Sequence, residues 1–173
     1  ELGIDEDSDI TTQYFQTNFD QRIHRHYLPK EEYVKGPIQN EYIFLHHTAG
    51  SNNPYRTIDH WSRDKRGRVA TEFVLGGISH RNGDDEFDGV MVQAFPKGSQ
   101  VDKTTYVGSK CISDQVRELS QHFKGKLFWH KYSEAQIKET EKWIRYVGER
   151  DSIDIRLGLK QFIKKYGPLK GFD

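Results

Sequence analysis

The sequence of 173 residues is poor in cysteine, methionine, proline and apolar residues in general. It has one cysteine, one methionine and five prolines, and 34% of its residues are hydrophobic. A single cysteine, Cys111, excludes a disulfide within the chain. No stretch approaches the ~20 apolar residues that a membrane-spanning helix needs, so we predict no membrane contact. Residues 1–9 are acidic, and we expect no secretory signal there because such signals begin with basic residues.

Net charge is absent as well, since 26 Lys and Arg residues balance 26 Asp and Glu residues. Proteins that bind nucleic acid carry a basic face, so this balance gives no reason to expect nucleic acid as a partner. Aromatic residues reach 13%, and their large side chains allow a core despite the low apolar content. A chain of this length predicts one domain.

The most informative local pattern lies at residues 42–50, which read Tyr-Ile-Phe-Leu-His-His-Thr-Ala-Gly. The aromatic and β-branched residues at its start predict a strand over residues 42–45, ended by the turn that follows. This strand would hold His46 and His47 at its end, and imidazole is the commonest metal ligand in proteins. A pair of half-buried histidines without a metal is the alternative for such a pattern on its own.

Helix and strand patterns alternate beyond this segment. Asn53 followed by Pro54 predicts a helix start, because asparagine caps helices and proline suits the first helical position. Mostly apolar runs predict strands at residues 68–75 and 90–95, with a solvated hairpin loop at residues 79–89 between them.

The clearest helix start is at Ser133, which forms the capping-box pattern with Gln136. The predicted helix covers residues 134–149, whereas residues 13–26 show no dominant period and predict no regular element. Three apolar side chains share one face of the predicted helix: Ile137, Ile144 and Val147.

In this order, the patterns resemble the type-2 N-acetylmuramoyl-L-alanine amidases, a family that includes phage lysins and peptidoglycan recognition proteins. Four segments carry most of the resemblance: residues 42–50, 68–75, 90–95 and 128–137. The resemblance implies an amidase-like domain of the α/β class over residues 27–173, built on a central mixed β-sheet flanked by helices. Residues 1–26 would then be an N-terminal extension.

The resemblance also implies zinc-dependent hydrolysis of the amide between N-acetylmuramic acid and L-alanine in bacterial peptidoglycan. The family's first zinc ligand corresponds to His46, and Thr71 corresponds to a residue beside the zinc-bound water. Glu72 would be a general base only if it faced the metal, whereas strand alternation turns it away from Thr71. The implied substrate-binding residues are His47, Thr48 and Trp61, with core packing as the alternative for the tryptophan.

The chain departs from the family pattern in two places. The family's other two zinc ligands belong to a C-terminal segment that does not appear before residue 173. A central apolar strand that the family has is also absent after residue 98. We interpret both departures as residues missing from the sequence near 98–99 and after 173. A true deletion variant without activity is the alternative, but losing a central strand would expose the edges of its neighbours.

The resemblance leaves two other functions open, a non-catalytic peptidoglycan-binding module and a virion structural protein with an amidase-like fold. As an enzyme, the protein would be phage-encoded and act at the bacterial cell wall. It would be either released from the host cytoplasm or carried by the virion, where other phage proteins would be its partners.

Overall fold

The computed structural model describes residues 6–36, 39–41, 43, 45–46, 48, 50–65, 67–79, 81–101, 121–123, 126–128 and 131–156. This part of the chain contains three α-helices, one 3-10 helix and seven short strands. In chain order they are α1 (Glu6–Arg22), β1 (His24–Arg25), the 3-10 helix (Lys30–Glu32), β2 (Val34–Lys35), α2 (Pro54–Trp61), β3 (Phe73–Leu75), β4 (Met91–Gln93), β5 (Ser99–Gln100), β6 (Gln121–Phe123), β7 (Lys126–Phe128) and α3 (Glu134–Arg150). None of the described helices has the length and apolar character needed to cross a bilayer.

The largest sheet has three strands in the order β1-β4-β3, so β4 is central. It is mixed, because β1 runs parallel to β4 whereas β3 runs antiparallel to it. Val92 of β4 lies opposite His24 on one side and Val74 on the other. Two antiparallel pairs, β2 with β5 and β6 with β7, form separate small sheets. The mixed α/β class predicted from the sequence is therefore confirmed.

The core lies on both faces of this sheet, because side chains alternate along β4. Val92 packs toward α2 and Met91 packs toward α1 and α3. The first cluster contains Leu28, Tyr33, Ile58, Ala70, Val74, Val92, Ala94, Phe95 and Val101. The second cluster contains Phe19, Ile23, Met91, Trp143, Tyr146 and Val147. Helices thus flank the sheet on either side.

The strands are shorter than the sequence predicts. The runs at residues 68–75 and 90–95 contain β3 and β4, each only three residues long, and residues 81–86 form an exposed loop between them. Ile43 and Leu45, the described residues of the predicted strand at 42–45, adopt no regular secondary structure. That strand prediction is wrong at these positions, because apolar character makes a strand only where a neighbouring backbone completes its hydrogen bonds. Its other two residues, 42 and 44, lie outside the described part of the chain.

Helix α1 is an element that the sequence does not predict. Its inward side carries Phe15 and Phe19, four residues apart on one helix face, and Ile23 continues this row directly after the helix ends. The ring of Phe19 packs against Tyr146 of α3, with 5.0 Å between the ring centroids. The row is too short within an otherwise polar segment to reveal a period. The domain boundary expected at residue 27 stays a prediction.

The two predicted helix starts are confirmed. The Asn53 side-chain oxygen accepts hydrogen bonds from the backbone N–H groups of Tyr55 and Arg56, at 2.9 and 3.2 Å. Ser133 and Gln136 exchange the two bonds of a capping box, at 3.0 and 3.1 Å. Both motifs depend only on neighbouring residues, which is why the sequence reveals them.

The predicted apolar face of α3 is only partly confirmed. Val147 is buried and Ile144 packs at the edge of the second cluster, but Ile137 remains 49% exposed. The described contacts between α1 and α3 involve Glu139 and residues beyond it. None of these contacts reaches the first turn of α3, which contains Ile137. Trp143 and Tyr146 fill the buried face instead.

The chain turns sharply at residues 98–99, where the sequence led us to expect a missing segment. Gly98 has φ +76°, a left-handed conformation that glycine tolerates. The backbone N–H of Ser99 donates to the carbonyl of Pro96 at 3.2 Å, and β5 begins at once. The interpretation that residues are missing here and after 173 stays a prediction.

Candidate functional site

The predicted zinc ligand His46 lies in the segment that leads into α2. Its side chain is half-buried, and the Nδ1 atom of its ring is fully buried. Ile43, three residues earlier, packs against the second core cluster, whereas Leu45 is 65% exposed. Thr48 is half-buried, and His47 lies outside the described residues. The protein therefore holds the His46 ring at its surface with one nitrogen turned inward.

Thr71 lies two residues before β3 and is half-buried. Its hydroxyl donates a hydrogen bond of 2.8 Å to the carbonyl of Phe73, two residues ahead. Such local bonds are common for threonine beside a strand end. The bond fixes the side-chain rotamer and leaves the oxygen lone pairs available as acceptors. A role beside a metal-bound water stays a prediction.

Glu72 points toward α3 and is buried. Its carboxylate accepts two hydrogen bonds from the guanidinium of Arg150, at 2.6 and 2.9 Å, and one from the Gln93 side-chain amide at 3.0 Å. A general base needs contact with the water that it deprotonates. In this geometry both carboxylate oxygens already have donors, so Glu72 acts as the buried partner of Arg150. The geometry gives the general-base prediction no support.

Arg150 also bonds to its neighbour Asp151, at 2.8 and 2.9 Å. Asp151 in turn accepts a 2.9 Å bond from the side-chain amide of Asn40. Lys97 approaches the same carboxylate at 3.9 Å. We call this set of side chains the Arg150 network; its members are Asn40, Glu72, Gln93, Lys97, Arg150 and Asp151. The network joins the segment at residues 39–41 to the residue before β3, to β4 and to the end of α3. Buried charges persist in proteins when they are paired in this way.

Charge pairing controls protonation within the Arg150 network. Burial by itself would raise the pKa of Asp151, but hydrogen bonds from Arg150 and Asn40 outweigh burial and hold that pKa below its ordinary value. Burial would likewise lower the pKa of Arg150, but its bonds to Glu72 and Asp151 raise that pKa above its usual range. Asp151 and Arg150 therefore both keep their charges at neutral pH.

A second polar cluster joins β1 to α2. The Nε2 atom of His26 lies 2.7 Å from a carboxylate oxygen of Asp59, and the Tyr55 hydroxyl bonds to Nδ1 of His24. The Tyr55 ring meets His26 edge-on at 5.3 Å. This cluster was not predicted, although the sequence carries two local signals for it: histidines two residues apart at β1 and polar residues four apart on α2.

The remaining predicted substrate contact, Trp61, is half-buried at the end of α2. It packs against the first core cluster, as the core-packing alternative expects. Part of its ring stays exposed, so a contact with substrate stays a prediction.

Across the described residues, no three His, Cys, Asp or Glu side chains come together in a way that could hold a metal ion. A catalytic zinc ion is usually bound by three protein ligands and one water molecule. His46 is the predicted ligand that this part of the chain supplies, and Cys111 lies outside it. The described residues alone therefore do not make a zinc site.

Comparisons of the chain with models of protein families, with curated proteins and with solved structures found no match. The resemblance to the amidases consequently rests on the sequence segments, and the agreement in fold is limited to the α/β class.

Proposed function

We propose that the protein is a peptidoglycan hydrolase of the type-2 amidase class, which cleaves the amide between N-acetylmuramic acid and L-alanine. The observation that carries the proposal is the segment at residues 42–50, with His46 near its centre, leading directly into the capped helix α2. A ring with one buried nitrogen has a restricted orientation, and restricted orientation is what a metal ligand needs.

The order and contacts of the neighbouring elements support the proposal. Helix α2, the hairpin of β3 and β4, and α3 follow one another as the resemblance implies. The backbone N–H of Gly77, just after β3, donates to the carbonyl of Asn52 at 3.1 Å. This bond ties the start of α2 to the hairpin. The segment that carries His46 and Thr48 thus enters α2 beside the hairpin, and Thr71 lies two residues before that hairpin begins.

Zinc dependence is part of the proposal, and the ligands other than His46 would come from residues outside the described part of the chain. The substrate would be bacterial peptidoglycan, contacted by His47, Thr48 and Trp61. The proposed setting is a phage-encoded protein that acts at the host cell wall, either released from the cytoplasm or carried by the virion with other phage proteins.

A non-catalytic peptidoglycan-binding module is the second candidate, and the pairing of Glu72 favours it. The bidentate contact with Arg150 commits one of the two candidate catalytic side chains to holding the fold together. A protein with this arrangement would keep a binding surface even where hydrolysis was lost. Trp61, half-buried beside Thr57 and Ile58 on α2, would still be available to such a surface.

Zinc content and the products released from purified sacculi separate these candidates. The hydrolase should hold about one zinc ion per chain and release soluble stem peptides with a free N-terminal alanine. A protein that stays metal-free and inert but sediments with sacculi would be the binding module. A protein that neither cleaves nor binds the wall, yet co-purifies with phage particles, would instead be a virion structural component.

A further inference from the structure

The loop between β3 and β4 has an exposed tip that carries Asn82 and Gly83. The other four asparagines of the chain are followed by a larger residue or by proline, so this is its single asparagine–glycine pair. Gly83 has φ +73°, a conformation that glycine adopts without strain. Among the described residues, apart from its chain neighbours, none has a heavy atom within 4 Å of the place where a Cβ on Gly83 would be. Its backbone nitrogen therefore has little steric protection.

Two backbone hydrogen bonds close the tip. The N–H of Ser79 donates to the carbonyl of Asp84 at 2.7 Å, and the N–H of Gly83 donates to the carbonyl of Ser79 at 2.8 Å. The Gly83 nitrogen has to leave its bond before it can react with another group. In an exposed loop such a bond opens locally, at a small fraction of the free energy that global unfolding needs. The bond thus slows a reaction at this nitrogen without preventing it.

The side chain of Asn82 is held by the backbone of the same turn. Its Oδ1 atom accepts a 3.2 Å hydrogen bond from the backbone N–H of Asp84, two residues ahead, as asparagine does in many turns. A donor on a carbonyl oxygen stabilises the negative charge that gathers there when a nucleophile attacks the carbon. This bond makes the amide carbon Cγ of Asn82 more electrophilic, next to the poorly protected nitrogen of Gly83.

We propose that Asn82 is a site of spontaneous deamidation. The Gly83 backbone nitrogen gives its proton to water and attacks Cγ of Asn82, which closes a succinimide ring. The bond from Cγ to the side-chain nitrogen breaks, and that nitrogen takes up a proton from water and leaves as ammonia. Water then opens the ring at Cγ, which gives aspartate, or at the main-chain carbonyl carbon, which gives isoaspartate. The sum of the steps consumes one water molecule and releases one molecule of ammonia.

A similar pair in the same loop, Asp88 followed by Gly89, is half-buried against the start of α3. The Ser133 hydroxyl donates to the Asp88 carboxylate, and the Gly89 N–H donates to the carbonyl of Gly76 at 3.3 Å. A Cβ on Gly89 would lie only 3.3 Å from that of Ala135. Both groups that a succinimide requires are thus held in place, and an ionised carboxylate is a poor electrophile. We therefore expect no succinimide at Asp88.

Deamidation at the tip should leave the fold intact, because the hairpin is anchored at its base. Backbone hydrogen bonds join Gly76 to Val90 at 2.9 Å and Gly77 to Asn52 at 3.1 Å. Either product adds one negative charge at an exposed position of the loop, where water and salt screen it. The expected change is local, in the charge and backbone path of the tip.

The test incubates the folded protein in mildly alkaline buffer at physiological temperature and follows each asparagine by peptide mass spectrometry. Replacing an amide with a carboxyl group raises the peptide mass. An isoaspartyl-specific methyltransferase labels the isoaspartate product, and fragmentation of the labelled peptide places it at residue 82 or at residue 88. Asn82→Gln is the matched control, because it keeps an amide at this position but would have to close a larger ring, which forms more slowly.

We expect the peptide with Asn82 to gain mass severalfold faster than the peptides of the other asparagines and to carry the isoaspartate label at residue 82. Asn82→Gln should lose both signals, and the urea midpoint of the aged protein should stay close to that of fresh protein. A folded protein in which Asn82 deamidates no faster than the other asparagines would overturn the proposal. Equal labelling at Asp88 would overturn it as well, and a marked fall of the midpoint would contradict a local change. None of these outcomes depends on peptidoglycan hydrolysis.

Discussion

Arg150 and Glu72 form a bidentate ion pair that joins the last residue of α3 to the residue before β3. The two nitrogen–oxygen distances are 2.6 and 2.9 Å, and the side chains are only 10% and 3% exposed. The Arg150 guanidinium also lies over the ring of Phe73, 5.3 Å from its centroid. Breaking a buried pair by removing one partner leaves an uncompensated charge, which costs far more than breaking a surface pair.

The first prediction concerns the stability that depends on this pair. Arg150→Met leaves Glu72 and Asp151 buried without their main donor, and we expect it to lower the free energy of unfolding by about 3–5 kcal/mol. Urea unfolding measures the change. Arg156→Met is the control, because it removes an exposed arginine whose partner Asp154 keeps contact with water, and it should change stability very little.

A double variant tests the cause of that loss. Adding Glu72→Gln to Arg150→Met removes one of the two stranded charges, so the double variant should be more stable than Arg150→Met alone. Equal stability of the single and double variants would contradict the buried-charge explanation.

The second prediction concerns the stability of the protein at acidic pH. The pKa of Asp151 is held below its ordinary value of 3.8, so the folded state binds a proton at this carboxyl less readily than the unfolded state does. The resulting stabilisation is fully present above pH 4 or so, and it is lost as pH falls through the lower pKa of the folded state. Urea midpoints measured between pH 7 and pH 2 should show this decline. In Asp151→Asn the part of the decline due to this carboxyl should be missing, and an unchanged acid profile would contradict the assignment.

The third prediction concerns the ionisation of Tyr146 at alkaline pH. Burial and then the hydrogen bond to Asp20, at 2.6 Å, raise the pKa of its hydroxyl above the ordinary value of 10.0. A raised pKa in the folded state means that the stabilisation is complete below pH 10 and is lost as pH rises through the folded-state pKa. Absorbance near 295 nm should therefore show one tyrosine that ionises together with unfolding. Tyr146→Phe should remove this late step, whereas Tyr14→Phe, at an exposed position of α1, should not.

The parts of the fold that the sequence predicts are those set by neighbouring residues. Asn53 and Ser133 cap the helices that follow them, and the bonds concerned span only two or three positions. Helix α1 was not predicted, because its stability comes from packing against α3, which lies more than a hundred residues away in the chain. The helix propensity of a segment does not reflect a contact with residues so far away in the chain.

In the candidate site, too, local sequence patterns indicate some residues, whereas the role of others depends on distant partners. The sequence motifs around His46 and Thr71 indicate these two residues, but the sequence also makes Glu72 a candidate for catalysis. What determines the role of Glu72 is Arg150, 78 positions further along the chain. A sequence with 26 basic residues offers no means of choosing that partner. The cluster of His26 and Asp59 was missed for the same reason, because a strand and a helix must first be brought together.

The last prediction concerns His46 and the proposed hydrolysis. In His46→Ala we expect the bound zinc to be lost and the release of stem peptides from sacculi to fall by at least about 100-fold, since removing a ligand should cost at least as much as disturbing the groups that support one. The matched control is His60→Ala, because His60 is an exposed histidine of α2 without a predicted role in the site. Both variants should keep the thermal midpoint close to that of the unmodified protein, which separates loss of the ligand from loss of the fold. Undiminished lysis by a folded His46→Ala protein would remove this histidine as a zinc ligand, and with it the observation on which the proposed function depends.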